Sequence, residues 1–345
     1  MRIFYWFSFD ITKNLLSRFA YMKFFLPPTR TSFFSDIHIS ISQTDPLQPI
    51  WIITMVKVFS PLLFVYLCLS FFSNLANAEV GLWKIEKNNK TSYLFGTVHV
   101  GDKHMQGLPT KVKSAIASSD RVMVEVNLEA LSPFAIQQRS MPFMLLKSNQ
   151  TLKDQLSAEV YQKLQDYFSK KQIDIALFER YKPWAVMITM LQLEYQKLGF
   201  TDTNGIDKQV IAYANEKKIP IGEFETLEYQ LEMFSQLSIH SDAMLKETFA
   251  QMSDLNTYFL DLVSAWRSGD LEKLSHYYQV SFADDKYGKL AEQLMIIERN
   301  NNWIEMLKKQ LPNESTFIAV GALHLVEKYG LVEQLKNNGY SVTRL

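Results

Sequence analysis

Apolar and polar residues alternate at both ends of the region after residue 78 in a way that predicts short strands. Two strands are expected over 81–87 and 91–96, and the polar pair Asn88-Asn89 between them marks the turn of a β-hairpin. Further apolar runs typical of buried strands cover 120–126, 218–225, 316–320 and 340–344. Each of these runs is short, as strands of a globular domain usually are.

The segments between these strands have the periodicity of helices. Short helices are expected over 111–118 and 325–337. The long middle stretch is almost wholly helical, with patterns over 131–147, 151–170, 175–198, 205–217 and 227–312. Thr151 with Asp154 resembles a capping box, and Gly269-Asp270 separates two of the later helices. Strands that alternate with helices in this way predict the α/β class.

The first 78 residues have a different pattern. Residues 58–72 are mostly apolar, follow Lys57 and precede Ala76-Asn77-Ala78, which is the layout of a secretory signal peptide cleaved after Ala78. The run is shorter than the roughly 20 residues of a membrane span, although an uncleaved anchor stays open as the alternative. Because a signal peptide begins at the initiator methionine, Met55 is the expected start of translation.

Residues 1–54 are expected to be an upstream extension that results from a misassigned start codon. A signal peptide over 55–78 and a single domain over 79–345 follow. The predicted location is the periplasm or the outside of the cell, and the signal peptide is the only expected membrane contact. The sequence leaves the oligomeric state open.

Composition narrows the classes of function. Thirty-six Lys and Arg residues balance thirty-six Asp and Glu residues without a basic run, so the chain has no electrostatic footprint for nucleic acid. Cys68 is the sole cysteine and lies in the predicted signal peptide, which argues against a disulfide framework and a multi-cysteine zinc site. Any metal would therefore be held by His, Asp and Glu side chains.

One local unit occurs twice, an apolar strand followed by Gly-x-x-His. It places His99 after Gly96 and His324 after Gly321, while Glu125 and Glu225 lie near the ends of their own apolar strands. Because ligands of open α/β sheets bind beyond the carboxyl ends of the strands, these side chains are expected to converge there. Two imidazoles and one or two carboxylates are a plausible ligand set for Zn²⁺, Mn²⁺ or Co²⁺.

Each of these residues also has a structural interpretation. Either histidine taken alone fits a hydrogen-bonded structural role, and Glu125 needs a metal, an arginine or a proton unless it points to solvent from a sheet edge. Asp207 is typical of the negatively charged first turn of a helix. Arg299 and Asn300 interrupt a helical stretch, which is typical of a solvated turn. Alternatively, Arg299 could bind a substrate carboxylate or fix Glu125.

The motifs around these residues follow one another in a specific order. They are Gly81-Leu-Trp-Lys, Leu94-Phe-Gly-Thr-Val-His-Val-Gly101, Met123-Val-Glu-Val126, Gly205-Ile-Asp207, Gly222-Glu-Phe-Glu-Thr226 with Gln230, Glu298-Arg-Asn300 with Trp303, and Val320-Gly-Ala-Leu-His-Leu325. In this order, from about 81 to 345, the sequence resembles the TraB/GumN family, which includes the TIKI metalloproteases. One Gly-x-x-His is a weak signal, whereas the ordered set is specific.

The resemblance implies an α/β fold of the erythromycin-esterase-like and ChaN-like kind, with a central mixed sheet and a helical insertion at about 131–312. It also implies that His99, Glu125 and His324 correspond to residues essential for metal-dependent peptide cleavage in the TIKI branch. We therefore expect an exported metal-dependent hydrolase, a peptidase acting on peptide or protein substrates.

In this hypothesis His99 and His324, with Glu125, bind Mn²⁺, Co²⁺ or Zn²⁺ and lower the pKa of a bound water. Glu125 or Glu225 takes the proton of the water, and Arg299 orients the substrate or stabilises the oxyanion. Two alternatives stay open. One is a periplasmic haem- or metal-binding protein without catalysis, suggested by the ChaN-like relatives, and the other is an accessory factor in envelope polysaccharide export, suggested by the GumN name.

Overall fold

A computed structural model describes residues 80–282 and 285–345 of the protein. The described strands form one mixed sheet in the order β4-β3-β5-β2-β1-β6. They are β1 (Leu82–Lys87), β2 (Lys90–Thr97), β3 (Arg121–Val124), β4 (Ile221–Glu223), β5 (Thr316–Gly321) and β6 (Ser341–Arg344). The predicted α/β class and mixed sheet are confirmed. The predicted signal peptide and the extension before it lie outside the described residues.

The first two strands form the predicted hairpin. β1 pairs antiparallel with β2, with Trp83 opposite Leu94, and on its other side β1 pairs antiparallel with β6. Asn88 and Asn89 both adopt positive φ angles, of 51° and 62°. Tight hairpin turns need this left-handed backbone, and asparagine tolerates it better than most residues do.

The other half of the sheet is parallel and determines where the functional residues lie. β5 pairs with β2 on one side and with β3 on the other, and β3 pairs with β4. Every residue of β5 is buried. Phe317 and Ala319 pack into a large apolar cluster, whereas Ile318 and Val320 pack into a smaller one. The sheet is thus covered on both faces, and the carboxyl ends of four parallel strands meet at one edge.

Twelve α-helices surround the sheet within the described part of the chain. They are α1 (Thr110–Ala117), α2 (Pro133–Met144), α3 (Ala158–Lys170), α4 (Pro183–Lys197), α5 (Ile206–Glu216), α6 (Leu227–Leu237), α7 (Ser241–Met252), α8 (Leu255–Ser268), α9 (Leu271–Ser281), α10 (Lys286–Glu292), α11 (Glu298–Gln310) and α12 (Leu331–Asn337). Gly269 has a φ of 59° and ends α8, and Asp270 caps α9, so the predicted break between these helices is confirmed. In residues 80–282 and 285–345, every helix is too short or too polar to cross a membrane.

Three local predictions differ from the structure. The Thr151 and Asp154 pair holds a short 3-10 turn, Lys153–Gln155, and the long helix begins later, after the Ser157 cap. The last helix begins at Leu331 rather than near 325, because Glu327 has a φ of 65° and the chain passes very close to itself at Gly330. The third difference concerns Arg299 and Asn300, which lie inside α11 and are fully buried.

Candidate functional site

The strand order places the four predicted residues along one edge of the sheet. Read from β4 to β3, β5 and β2, the strands are followed by Glu225, Glu125, His324 and His99. The pairing of β3 and β4 continues past their ends, because the Glu225 backbone N–H donates to the Glu125 carbonyl at 2.9 Å. Neighbouring strands lie about 4.8 Å apart. The edge therefore brings the four side chains into one row, as the sequence predicts.

Arg299 lies within this row. It comes from α11, directly after a π-helical turn over Gln293–Ile297, and its side chain is fully buried. Its Nε and one terminal nitrogen donate to the two oxygens of Glu225 at 2.8 and 2.9 Å. The same terminal nitrogen donates to Glu125 at 2.5 Å. The guanidinium thus joins the carboxylates that follow β4 and β3.

The remaining terminal nitrogen of Arg299 completes the set of contacts. It donates to the Met295 carbonyl at 3.2 Å and lies 3.2 Å from Nε2 of His324. A guanidinium has five N–H bonds, and these contacts provide an acceptor for each. Burial by itself would lower the pKa of Arg299, but Glu225 and Glu125 outweigh it and raise that pKa above its usual value.

The carboxylates that bind Arg299 are themselves held by other donors. Glu125 accepts a hydrogen bond from the backbone N–H of Gly321 at 2.7 Å. Glu225 accepts from the indole N–H of Trp303 at 2.9 Å and from the amide of Gln230 at 3.0 Å. Charge-assisted hydrogen bonds of this kind compensate for the loss of water around a buried carboxylate.

The hydrogen bonds of Asn300 determine which nitrogen of His324 carries the proton. The Asn300 amide group donates to the carbonyls of His324 and Tyr329 at 3.0 and 2.8 Å, so its oxygen faces Nδ1 of His324. Nδ1 is therefore the donor, and Nε2 accepts from Arg299. Burial, reinforced by the positive charges of Arg299 and His99, holds the pKa of His324 well below its usual value. His324 is a neutral imidazole in this network.

His99 has a different environment at the β2 end of the row. Its Nδ1 lies 3.2 Å from a carboxylate oxygen of Asp207, and 14% of its side chain is exposed. Asp207 belongs to the first turn of α5, which is held against β2 because Ile206 donates to the Val98 carbonyl at 2.9 Å. Burial by itself would lower the pKa of His99, but Asp207 outweighs it, with a smaller contribution from Glu125, and raises that pKa.

Two spaces border the row, one at each end. A small apolar cavity of about 30 Å³ lies beside His99, and its lining includes Phe259, Leu262 and Trp266 of α8. An open cleft of about 370 Å³ lies at the other end, where Glu225 and Trp303 are joined by Glu223, Phe224, Thr226, Tyr229 and Asn302. Among the residues around Arg299, Glu225 and Trp303 therefore line the larger space.

In this arrangement Glu125 and His324 do not fit a divalent cation between them. Nε2 of His324 lies 4.0 Å from an oxygen of Glu125, but it accepts from Arg299, which also binds Glu125. In the described ranges no three His, Cys, Asp or Glu side chains are placed to hold a metal ion. The role of His99, Glu125 and His324 as metal ligands stays a prediction.

Sequence reasoning missed two partners of the predicted residues. Asp207 was expected only as a residue of a helix start, yet it also contacts His99. Asn300 was expected in a solvated turn, yet it is buried in α11 and contacts His324. Arg299 was expected in that turn, as a substrate contact or as the arginine that fixes Glu125, and the structure shows the contact with Glu125. The available signal was the helical spacing of the buried face of α11, which consists of Arg299, Asn300, Trp303, Ile304 and Leu307.

These features define an α/β protein with a buried charge network at the carboxyl edge of its parallel strands. The chain belongs to the TraB/PrgY/gumN family, whose family model matches residues 81–344. It is 27% identical to the uncharacterized protein YbaP of Shigella flexneri over 248 residues, which cover 72% of this chain and 89% of YbaP. The YbaP protein of Escherichia coli K12 is 26% identical with the same coverage.

A more distant similarity connects the chain to animal proteins named as metalloproteases. Metalloprotease TIKI2 of Danio rerio is 24% identical over 313 residues. This match covers 76% of the present chain but only 60% of TIKI2.

Proposed function

We propose that this protein is a hydrolase of peptide bonds in which His99 is the base that activates water. The observation that carries the proposal is the contact between His99 and Asp207 at the one partly exposed position of the row. Membership of the TraB/PrgY/gumN family and the similarity to TIKI2 support a hydrolase rather than a structural protein.

The Asp207 contact gives His99 the orientation that a general base needs. Nδ1 of His99 donates to the carboxylate, so Nε2 carries the lone pair of the neutral ring. A carboxylate in this position holds the imidazole in the required tautomer and stabilises the imidazolium that forms after proton transfer. In the proposed step, Nε2 removes a proton from water as the water attacks the scissile carbonyl, and later returns the proton to the leaving amine.

The buried network makes a second contribution to the proposed reaction. Arg299, Glu125 and Glu225 are charged groups whose positions are fixed before any substrate binds. Fixed charges of this kind act on a reaction without having to reorganise during it. They are close enough to His99 that both Glu125 and Arg299 influence its pKa.

Export, a peptide or protein substrate, and the erythromycin-esterase-like or ChaN-like form of the fold are parts of the same proposal. Export is supported by the sequence of residues 55–78. Dependence on Mn²⁺, Co²⁺ or Zn²⁺ stays a prediction that rests on the TIKI similarity, and no step above uses a metal. The haem-carrier and polysaccharide-export hypotheses stay predictions.

The proposal is tested by screening the purified protein against a library of fluorogenic peptides, with EDTA or with added Mn²⁺, Co²⁺ or Zn²⁺. His99→Ala should lower kcat/KM by about 10²-fold to 10⁴-fold, the usual contribution of a general base. Asp207→Asn should also lower kcat/KM, by up to about 10⁴-fold, because the amide can donate to Nδ1 and leave the ring proton on Nε2, where the lone pair is needed. His104→Ala is the matched control, since His104 is exposed in the same loop. Equal rates for His99→Ala and wild type would rule out this role of His99.

A further inference from the structure

The guanidinium of Arg299 lies where the predicted metal would have to bind. It contacts Glu125, Glu225 and His324, three of the four side chains in the row. Its acceptors come from the ends of three adjacent strands, β4, β3 and β5, so it is at the centre of the parallel half of the sheet. The row is thus assembled around one organic cation.

The partners of Arg299 are held so that they face it. Glu125 is fixed on its other oxygen by Gly321, Glu225 by Trp303 and Gln230, and His324 by Asn300. The Trp303 ring also lies against the guanidinium, 4.8 Å from its central carbon, and against the His324 ring, with centroids 4.3 Å apart. A planar guanidinium matches carboxylate geometry in a way that a spherical ion does not.

A divalent ion would compete with this arrangement directly. It would need the Nε2 lone pair of His324 and an oxygen of Glu125, and Arg299 lies against both groups. It would also lie within a few ångströms of a guanidinium, which keeps its charge at any physiological pH. In a buried site two like charges at that distance repel each other strongly.

We propose that Arg299 replaces the metal in this chain. The guanidinium is the cation that neutralises Glu125 and Glu225 and orients His324, and it excludes a divalent ion from the site. As a consequence, and on the basis of the proposed function, peptide hydrolysis by this chain does not depend on added metal. Arg299 acts here as a positioning residue, because no part of it is exposed to a substrate.

Titration with Co²⁺, followed by visible absorption and calorimetry, tests this replacement without any substrate. The wild-type protein should take up no stoichiometric Co²⁺ at the site. The variant that combines Arg299→Met with Glu225→Gln removes one charge of each sign and leaves Glu125 and His324 facing each other. We expect this variant to gain one Co²⁺ per chain, with an affinity at least about tenfold higher than any binding by wild type.

The control is the corresponding change at an exposed pair. Arg139 also binds a glutamate through two nitrogens, at 2.5 and 2.7 Å to Glu228, but both side chains are more than one-third exposed. Arg139→Met with Glu228→Gln should leave Co²⁺ uptake unchanged, which separates the effect of position from that of losing an Arg–Glu pair.

Two results would overturn the replacement. One is uptake of one Co²⁺ by wild type that Glu125→Gln or His324→Ala abolishes, since that would show ligation by these residues. The other is a folded Arg299→Met, Glu225→Gln variant that binds Co²⁺ no better than wild type. If circular dichroism shows that the double variant does not fold, the test rests on Co²⁺ titration of wild type, Glu125→Gln and His324→Ala. A wild-type protein that hydrolyses no peptide would refute the proposed function but would leave these binding results unaffected.

Discussion

The two ends of the row of strand-end residues differ in how completely their polar groups are satisfied and in how far they reach solvent. Around Arg299, five N–H bonds have five acceptors, and the side chains involved are at most 8% exposed. Around His99, one carboxylate contacts one ring nitrogen, and the side chains of His99 and Asp207 are 14% and 27% exposed. The guanidinium of Arg299 is closed off from solvent, although its partner Glu225 lines the larger cleft, whereas His99 is partly exposed and lines the smaller cavity.

This difference indicates a division of roles along one sheet edge. A buried charge network is stable only when every member is paired, so the Arg299 end has little freedom to bind and release a substrate. The His99 end has an oriented base, partial exposure and a neighbouring cavity, which are the features of a reacting position. The same four-strand edge thus holds both a structural network and the proposed chemistry.

The largest effect is expected from breaking the closed end. Arg299→Met leaves Glu125 and Glu225 buried without their cation, and removal of one partner from a buried ion network costs about 3–5 kcal/mol. Urea unfolding followed by circular dichroism should show this loss in the free energy of unfolding.

Arg139→Met provides the comparison for that measurement. The pair of Arg139 with Glu228 has similar bidentate geometry, but it is exposed, and exposed ion pairs contribute about 0–1 kcal/mol. If the two substitutions cost the same, the Arg299 network would have no special dependence on burial, and the contrast between the two ends would fail.

The open end is tested by a change in the backbone that supports it. A Cβ atom at Gly205 would lie 2.5 Å from the His99 carbonyl oxygen and 2.7 Å from a carboxylate oxygen of Asp207. Gly205→Ala should therefore cost about 1–3 kcal/mol, as overpacking usually does. Because the added Cβ would displace His99 and Asp207 themselves, the rate of peptide hydrolysis should fall even where the variant is fully folded. Measurement of kcat/KM well below the melting temperature checks this.

Gly222→Ala is the matched control for this glycine. A Cβ atom at Gly222 would meet mainly the end of the Met123 side chain, which can move. Its effects on stability and on activity should both be smaller. Equal loss of activity in the two variants would show that the contact between His99 and Asp207 is not the sensitive element.

Local sequence signals predicted the strands and therefore the edge at which the site lies. The Asn88-Asn89 turn specifies a hairpin by its own backbone preference, and Gly96 and Gly321, at the ends of β2 and β5, mark the strand exits that place His99 and His324. Parallel pairing then brings these exits together, since carboxyl ends of parallel strands share an edge. These steps depend on residues close to one another in the sequence.

The position of Arg299 depends instead on contacts between distant parts of the chain. It binds residues 74 and 174 positions away, and it does so because one face of α11 packs on the sheet. The run Glu298-Arg-Asn-Asn-Asn302 appears polar and solvated when taken alone. Only the apolar residues that follow at helical spacing, Trp303, Ile304 and Leu307, show which side of the helix turns inward.

The smallest expected effect concerns the attachment of the His99 loop to α8. Asp102 accepts hydrogen bonds from Arg267 at 2.6 Å and from the backbone N–H of His104 at 2.8 Å. Partial burial by itself would raise the pKa of Asp102, but these two donors outweigh it and lower that pKa below its usual value. Because the pKa is lower in the folded state, the stabilisation is present above the unfolded-state pKa and is lost as pH falls through the folded-state pKa.

Asp102→Asn should therefore cost up to about 1 kcal/mol at pH 7, the usual upper value of a partly exposed ion pair, because asparagine can still accept from the His104 backbone N–H. The difference from wild type should shrink as pH falls through and below the usual aspartate range near 3.9, because the wild-type carboxyl is then protonated as well. Urea unfolding of both proteins at a series of pH values measures this difference. A difference that is independent of pH would mean that Asp102 acts through its shape rather than its charge, and that the open end is not held by the Arg267 ion pair.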